Sequence, residues 1–213
     1  LADGLADALA QADIPCFGPG REAARLETSK AFAKAIMGRA GVPTAGFLEV
    51  DREDPESVAR ARARIQHGDV VIKADGLAGG KGVFVCRTAE EAVEALDEVW
   101  SGRFGEAARH LVLEDRLTGP EVSVFGLSDG ARVVGLPSSR DHKALLDGGE
   151  GPNTGGMGAI APVPGLGDDF VEEILERVHR PIVAAMAERG TPYRGVLYAG
   201  LMLTPDGPRV LEF

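Results

Sequence analysis

The sequence predicts an α+β protein in which helices and strand hairpins follow one another along the chain. The apolar run at 70–72 lies between polar turns, which is typical of a strand buried on both faces. Turn signals at 128–130 and 204–207 each separate two strand-like segments and indicate hairpins. Thr88 and Glu91 have the spacing of a capping box, which predicts the start of a helix.

Composition and charge exclude several classes of protein. The chain has 213 residues, 44% of them hydrophobic, which is enough to bury the core of one large domain or two smaller ones. No apolar run approaches the roughly 20 residues that span a bilayer, and the first residues lack the pattern of a signal peptide. The net charge of −10 argues against nucleic acid as the main partner. Cys16 and Cys86 lie in apolar stretches, so we expect reduced core thiols in a cytoplasmic protein rather than a disulfide.

The first half of the chain alternates helices with short strands. Thr28 or Ser29 is expected to cap a helix, which the glycine and proline at 41–43 end. The other elements predicted here are a helix near the N-terminus, an apolar segment at 14–17, a strand near 45–50, a helix near 55–65, a strand at 83–86 and the helix after Thr88.

The second half predicts two hairpins and one long helix. The strand segments are 111–114, 121–127, 131–136, 195–203 and 209–213. Asp168 or Asp169 is expected to cap the helix, which runs to about Arg189 and is kinked or broken near Pro181, which has no N–H to donate. Residues 138–167 have many glycines and almost no apolar periodicity. A structureless loop of this length is unusual in a compact domain and indicates a functional role.

The most specific chemical signal is a glycine-dense segment at 75–82 that follows Lys73. Glycines let backbone N–H groups approach phosphate oxygens, and a lysine adds a positive charge. The segment is not a Walker A loop, because Gly82 follows Lys81 where Ser or Thr is required. It is not a Rossmann loop either, because no helix follows it. The alternative is a flexible hairpin that carries surface lysines.

Four charged positions elsewhere are less specific candidates. Lys30 lies in the first turn of a helix, where the macrodipole disfavours a cation, so it either binds a ligand or is solvated. Glu114 and Glu121 flank a Gly-Pro turn, where they either accept hydrogen bonds from an amine or a ribose or form a plain acidic turn. Glu212 either binds Mg²⁺, which takes one or two carboxylates plus phosphates and water, or is solvated.

The segment 151–158 is the largest concentration of glycines in the chain, and it follows Asp141, His142 and Lys143. Its N–H groups, together with Lys143, are suited to form a nest for a second phosphate. His142 alone is a weak candidate for a general base, because one histidine in a loop is more often solvated.

Taken in order, these segments resemble the phosphoribosylamine–glycine ligase family of ATP-grasp enzymes. The matching segments are 24–34, 72–83, 113–123, 141–143, 151–158 and 197–202. Other ATP-grasp enzymes share the lysines and glutamates, whereas the segment 151–158 is specific to this family. Two positions depart from its usual pattern: Arg140 stands where Gln is usual, and Pro120 where Glu is usual.

The resemblance implies a role for each matching residue. ATP contacts are implied for Lys30 and Lys73 (phosphates), Gly79, Gly80, Lys81 and Gly82 (a lid over the phosphates), Glu114 and Leu117 (adenine, the latter through its backbone) and Glu121 (ribose). The phosphoribosylamine and the acyl-phosphate centre are implied to lie against Asp141, His142, Lys143, Asn153, Thr154, Gly155 and Gly156, with Asp141 and Lys143 catalytic. Glu212 is implied to hold Mg²⁺ or Mn²⁺.

The implied reaction joins glycine to 5-phosphoribosylamine and cleaves ATP to ADP and phosphate by way of glycyl phosphate. Phosphoryl transfer needs positioning and charge neutralisation more than a nucleophilic side chain, which agrees with the lysines and glycines present. The implied partners are these small molecules, with no nucleic acid and no membrane.

The resemblance also implies the ATP-grasp fold, with a small α+β lid subdomain and a larger mixed-sheet core. The implied ranges are 1–20 (remnant of an N-terminal Rossmann-like domain), 21–68 (linker helices and start of the core), 69–136 (lid subdomain) and 137–213 (core with the substrate loop and metal strand). We therefore expect a chain truncated at both ends that is inactive alone. The alternatives are another ATP-grasp carboxylate–amine ligase or carboxylase, and a nucleotide-binding relative that has lost catalysis.

Overall fold

The computed structural model describes residues 1–76, 82–142 and 144–213. The helices are α1 (Leu5–Gln11), α2 (Arg25–Thr28), α3 (Lys30–Ala40), α4 (Pro55–Ile65), α5 (Ala89–Glu98), α6 (Asp168–Ile174) and α7 (Arg180–Glu188). The strands are β1 (Phe47–Asp51), β2 (Val70–Ala74), β3 (Val83–Cys86), β4 (His110–Asp115), β5 (Glu121–Asp129), β6 (Val133–Gly135), β7 (Arg140–Asp141), β8 (Ala144–Leu146), β9 (Glu150–Asn153), β10 (Ala159–Ile160), β11 (Arg194–Thr204) and β12 (Gly207–Glu212). Among the described residues, no helix is both long and apolar enough to cross a membrane.

The chain forms two compact units. The small unit comprises Leu26–Ala35 and Thr44–Leu117, and the large unit comprises Leu1–Arg25, Ile36–Pro43 and Thr118–Phe213. The sequence places a boundary after residue 136, whereas 118–136 lie in the large unit because β5 pairs with β11 along its whole length. The implied domain ranges stay a prediction.

The small unit is built on an antiparallel sheet of order β1-β4-β2-β3. Its apolar core includes Ile72 of β2, Ile65 of α4 and Leu96 of α5, all fully buried. Lys73 lies on the opposite face of β2 and is also buried, so the strand is covered on both faces as predicted.

Local capping explains where the helices of the small unit begin. Thr88 accepts a hydrogen bond from the backbone N–H of Glu91, whose side chain accepts in return, which confirms the predicted capping box. Ser29 accepts from the backbone N–H of Phe32 at 3.2 Å and so caps α3. That helix ends at Ala40, before the predicted stop at 41–43.

The large unit is built on an antiparallel sheet of order β12-β11-β5-β6. The predicted hairpins are both present, and a register shift between Gly200 and Leu201 marks an irregularity in the pairing of β11 with β12. The long helix is interrupted near Pro181 as predicted: Leu175–His179 is a π-helical turn that ends two residues before this proline. The predicted cap is wrong, because the N-cap is Gly167 and both Asp168 and Asp169 lie within α6.

Two sequence-based expectations about loops are wrong. Residues 138–167 are not structureless, because β7 pairs with β10 and β8 pairs with β9. Strands of two to four residues are too short to produce an alternating apolar pattern, so the sequence could not reveal them. Cys16 is not a core thiol: it is exposed, as is Phe17 beside it, whereas Cys86 is buried as expected.

Candidate functional site

Three charged side chains meet in the interior of the small unit. The Glu114 carboxylate lies 2.8 Å from the Lys73 ammonium through Oε1 and 3.1 Å from the Lys34 ammonium through Oε2. Val71 is the cross-strand neighbour of Glu114, so Lys73, two residues further along β2, lies on the same face of the sheet. The predicted pair Lys73 and Glu114 is therefore in direct contact, and Lys34 is a third member that the sequence did not indicate.

Lys34 is held from two further sides. Its ammonium donates a hydrogen bond of 2.6 Å to the Thr44 hydroxyl and lies 5.6 Å from the centroid of the Phe47 ring. Burial lowers its pKa to about 8, with Lys73 adding to the decrease and Glu114 opposing it. The pKa of Lys34 is lowered because the ion pair with Glu114 does not fully offset the cost of burying its charge.

The start of α3 is tied to the end of β2. The Asp75 carboxylate accepts hydrogen bonds from the Ser29 hydroxyl (3.1 Å) and the Ala31 backbone N–H (3.2 Å). The Lys30 ammonium donates to the Gly76 carbonyl at 3.3 Å. Lys30 thus lies beside the first residues of the glycine-dense segment.

Several predicted residues at this site are not part of the described structure. Gly79, Gly80 and Lys81 lie outside the described residues, as does Lys143. Gly82 is described, and its carbonyl accepts a hydrogen bond of 2.8 Å from the backbone N–H of Ala74.

In the large unit, a cavity of about 830 Å³ lies against the start of β5. Its lining includes the predicted residues Glu121, Asp141 and His142, together with Ser123, Arg140 and Tyr198. A Cβ atom on Gly156 would lie 2.9 Å from Asp141 Oδ1, so these two predicted substrate residues are adjacent. Backbone hydrogen bonds link His142 with Met157 and Gly158, at 2.9 Å each.

Tyr198 lies among three of the predicted carboxylates. Burial raises the pKa of its hydroxyl to about 12, and the negative charges of Glu212, Glu121 and Asp141 raise it further, while a hydrogen bond with Ser123 opposes them. Tyr198 therefore stays a neutral hydroxyl throughout the physiological range. The structure brings Glu121, Asp141 and Glu212 near one neutral donor that the sequence did not single out.

Within the described part of the chain, no group of three or more His, Cys, Asp or Glu side chains is placed to hold a metal ion. A single carboxylate such as Glu212 still fits Mg²⁺, which completes its coordination with phosphates and water.

Comparison with known families decides which family these features represent. Residues 28–213 match the model of the phosphoribosylglycinamide synthetase ATP-grasp (A) domain. The chain belongs to this family.

The relatives in the phosphoribosylglycinamide synthetase family align with the whole chain. It is 47% identical to a phosphoribosylamine–glycine ligase of Rhodopirellula baltica, covering 100% of this chain and 50% of that protein. It is 45% identical to the human trifunctional purine biosynthetic protein adenosine-3, covering 100% of this chain and 21% of that protein. The chain thus spans about half the length of the single-function relatives that it matches.

Solved structures agree with the family and the fold. A phosphoribosylamine–glycine ligase of Thermotoga maritima superimposes with a TM-score of 0.81 at 39% identity, covering 92% of this chain and 49% of that one. A D-alanyl-alanine synthetase A of Vibrio cholerae superimposes with a TM-score of 0.72 at 17% identity, covering 97% of this chain and 60% of that one. The second likeness shows the fold alone, and both confirm the ATP-grasp fold predicted from the sequence.

One departure from the usual pattern of the phosphoribosylglycinamide synthetase family now has a structural account. The Arg140 guanidinium donates a hydrogen bond of 2.9 Å from Nε to the backbone carbonyl of Glu121. Arg140 therefore ties β7 to the first residue of β5 at the edge of the cavity.

Proposed function

We propose that the protein containing this chain ligates glycine to 5-phosphoribosylamine, with cleavage of ATP to ADP and phosphate. The observation that carries the proposal is the alignment of the entire chain with phosphoribosylamine–glycine ligases at 46–49% identity. The small-molecule partners follow from this reaction, and both cysteines being free thiols agrees with the cytoplasm.

The nucleotide is proposed to bind through lysines and glycines at its phosphates and through glutamates at its adenine and ribose. Lys30, Lys73 and the segment from Gly79 to Gly82 are assigned to its phosphates, Glu114 and the Leu117 backbone to the adenine, and Glu121 to the ribose. The contacts of Glu114 support its assignment, because an ion pair to each oxygen leaves lone pairs that can accept from the exocyclic amine.

Glu212 is the proposed protein ligand of Mg²⁺ or Mn²⁺. It contributes one carboxylate, and its charge acts on the Tyr198 hydroxyl beside Glu121 and Asp141. A divalent ion bound there with nucleotide phosphates would neutralise charge on the transferring phosphoryl group.

The substrates are proposed to occupy the cavity lined by Asp141 and His142. Its volume of about 830 Å³ is within the range of roughly 300–1,000 Å³ typical of small-molecule sites. Glycine's carboxylate oxygen attacks the γ-phosphorus of ATP, the bond to ADP breaks, and glycyl phosphate forms. The ribosylamine nitrogen then attacks the glycyl carbonyl, phosphate leaves and the nitrogen loses a proton. Asn153, Thr154, Gly155, Gly156 and Lys143 are assigned to this acyl-transfer step, with Asp141 and Lys143 as catalytic residues.

An ADP-release assay on the full-length protein tests the function. We expect sustained, multiple-turnover ADP release only when glycine and 5-phosphoribosylamine are both present, with glycinamide ribonucleotide identified by mass. Release with D-alanine or bicarbonate instead would assign another ATP-grasp reaction, and no release with any pair would indicate a relative without catalysis.

Two variants test the residue assignments in the same assay. Lys73→Ala should weaken ATP binding, and unchanged ATP affinity would reject its assigned role. Lys143→Ala should leave ATP affinity unchanged and slow ligation, so normal ligation kinetics would reject its placement on the substrate side.

A further inference from the structure

The buried cluster of Lys34, Lys73 and Glu114 holds more positive than negative charge. With both ammonium groups protonated, two cations share one carboxylate, and the side chains of Lys34 and Glu114 are each only 2% exposed. Burying these charges costs desolvation free energy, which their mutual attraction often does not fully offset. A buried ion pair of this kind is weak evidence for a role in stability alone.

Glu114 connects the two lysines through different oxygen atoms. Lys73 contacts Oε1 and Lys34 contacts Oε2, so the two ammonium groups fix both ends of the carboxylate. Thr44 accepts a further hydrogen bond from Lys34 and fixes its position in turn. Removing Lys34 would leave the Glu114 carboxylate held on one side only.

We propose that Lys34 is a positioning residue of the nucleotide site, which holds Glu114 so that Glu114 in turn fixes the Lys73 ammonium. The inference rests on the proposed function, since it takes Lys73 and Glu114 as ATP contacts. Lys34 itself touches no ligand. The lowered pKa of Lys34 agrees with a buried ammonium group whose desolvation Glu114 only partly offsets.

For Lys34→Met, we expect weaker nucleotide binding without a loss of stability. Lys34→Met keeps a similar side-chain volume and leaves Lys73 and Glu114 as a balanced pair, so the melting temperature should not fall. The same variant should weaken ADP binding about tenfold, because a hydrogen bond to a charged group that orients Glu114 is lost. Glu114→Gln should instead lower the melting temperature strongly, because it leaves two buried cations without a carboxylate.

The experiment compares these variants in the full-length protein, with the Kd of Mg·ADP from calorimetry and the melting temperature from thermal unfolding. Arg39→Met, an exposed substitution on the same helix, is the control and should change neither quantity. In the ligation assay, Lys34→Met should raise the KM for ATP and leave the KM for glycine unchanged.

Three outcomes separate the explanations. A wild-type Kd for ADP in Lys34→Met would overturn the inference while leaving the proposed function intact. A fall in melting temperature as large as that of Glu114→Gln, with an unchanged Kd, would make Lys34 a structural brace and also overturn it. If the wild-type protein binds no ADP, the proposed function itself fails.

Should Lys34→Met not fold, Thr44→Val removes the second contact of Lys34 and should weaken ADP binding about threefold. An unchanged Kd in that variant would then reject the inference.

Discussion

At the scale of single residues, the buried ionisable groups of this chain respond to their surroundings in different ways. Burial lowers the pKa of His179, which lies in the interior of the large unit and is therefore neutral. Burial raises the pKa of Cys86 to about 11, so this thiol is an unreactive core residue. Lys34 differs from both because it has a charged partner. The negative charge of Glu114 favours the protonated ammonium group of Lys34 and so partly offsets the cost of its burial.

Burial of Lys34 makes the free energy of unfolding depend on pH. Its pKa is about 8 in the folded state and 10.5 as the reference value, so between these values the unfolded state binds more protons. Stability therefore rises with pH in this window, and below it the full cost of burying the cation is present. Relative to Lys34→Met, the wild-type free energy of unfolding should increase by about 2 kcal/mol from about pH 7 to about pH 9.5.

Urea unfolding of the two proteins at both pH values measures this difference. The comparison with Lys34→Met is needed because Cys86 and Tyr198 contribute in both proteins with the opposite sign, since their folded pKa values are raised. A constant difference between the two proteins across this range would show that Lys34 does not titrate as its environment indicates.

At the scale of secondary-structure elements, α3 begins where Ser29 and the segment after β2 each accept one of its free N–H groups. The Asp75 carboxylate accepts from the Ala31 N–H and the Ser29 hydroxyl, and its negative charge lies at the positive end of the helix dipole. The same arrangement offsets the unfavourable position of Lys30 in the first turn. A residue at the base of the glycine-dense segment thus fixes the helix that carries both Lys30 and Lys34.

Asp75→Ala should remove the capping contact to the Ala31 N–H and leave that of Ser29 to Phe32. We expect the free energy of unfolding to fall by about 1 kcal/mol and amide exchange to accelerate in the first turn of α3. Asp54→Ala is the matched control, because Asp54 caps α4 by accepting from the Glu56 N–H at 3.0 Å. It should cost a similar free energy but accelerate exchange in α4 only, and faster exchange in α3 from both variants would rule out a local cap.

The strand β11 places Tyr198 by means of a glycine two residues further on. A Cβ atom on Gly200 would overlap the Tyr198 hydroxyl oxygen, so only glycine leaves the ring room to lie along the strand. Gly200→Ala should therefore displace Tyr198 from Ser123 and lower the free energy of unfolding by about 1–3 kcal/mol.

The control for this variant is Gly38→Ala. Gly38 lies within α3, where a Cβ atom would meet nothing within 4 Å, so alanine should stabilise the protein by about 0.5–1 kcal/mol. Tyrosine absorbance against pH reports the Tyr198 environment, and its raised pKa should move toward 10 in Gly200→Ala only. An unchanged titration would show that the strand accommodates the extra methyl group.

The elements with strong local signals were predictable, and the residues placed by tertiary contacts were not. The capping box at Thr88, the stop after Ala40 and the strand carrying Lys73 depend on short-range geometry that a sequence displays directly. Lys34 is an ordinary helix residue in sequence, and its carboxylate partner Glu114 is brought to it only by folding. Tyr198 could have been suspected from its place in a matching segment, but nothing local predicts the carboxylates around it.

At the scale of the whole molecule, recognition of an anion depends on local charges rather than on the overall field. The net charge of −10 on this chain repels a nucleotide at long range, so the proposed site has to attract it through lysines held close to it. Lys73 is held by Glu114 and Lys30 by the Gly76 carbonyl, which fixes two cations before any ligand arrives. Fixing these groups in advance reduces the entropy lost on binding.

A ligand that binds only the folded state must stabilise the whole molecule by mass action. Mg·ADP at a hundred times its Kd should raise the free energy of unfolding by about 2.7 kcal/mol, measured by urea denaturation of the full-length protein. Lys73→Ala at the same ADP concentration should show a much smaller gain, because loss of the ammonium raises the Kd, whereas Arg39→Met should show the full gain. Equal stabilisation of all three proteins would mean that ADP binds without Lys73. Because each gain is measured against the same variant without ligand, it isolates the nucleotide contact from any change in intrinsic stability.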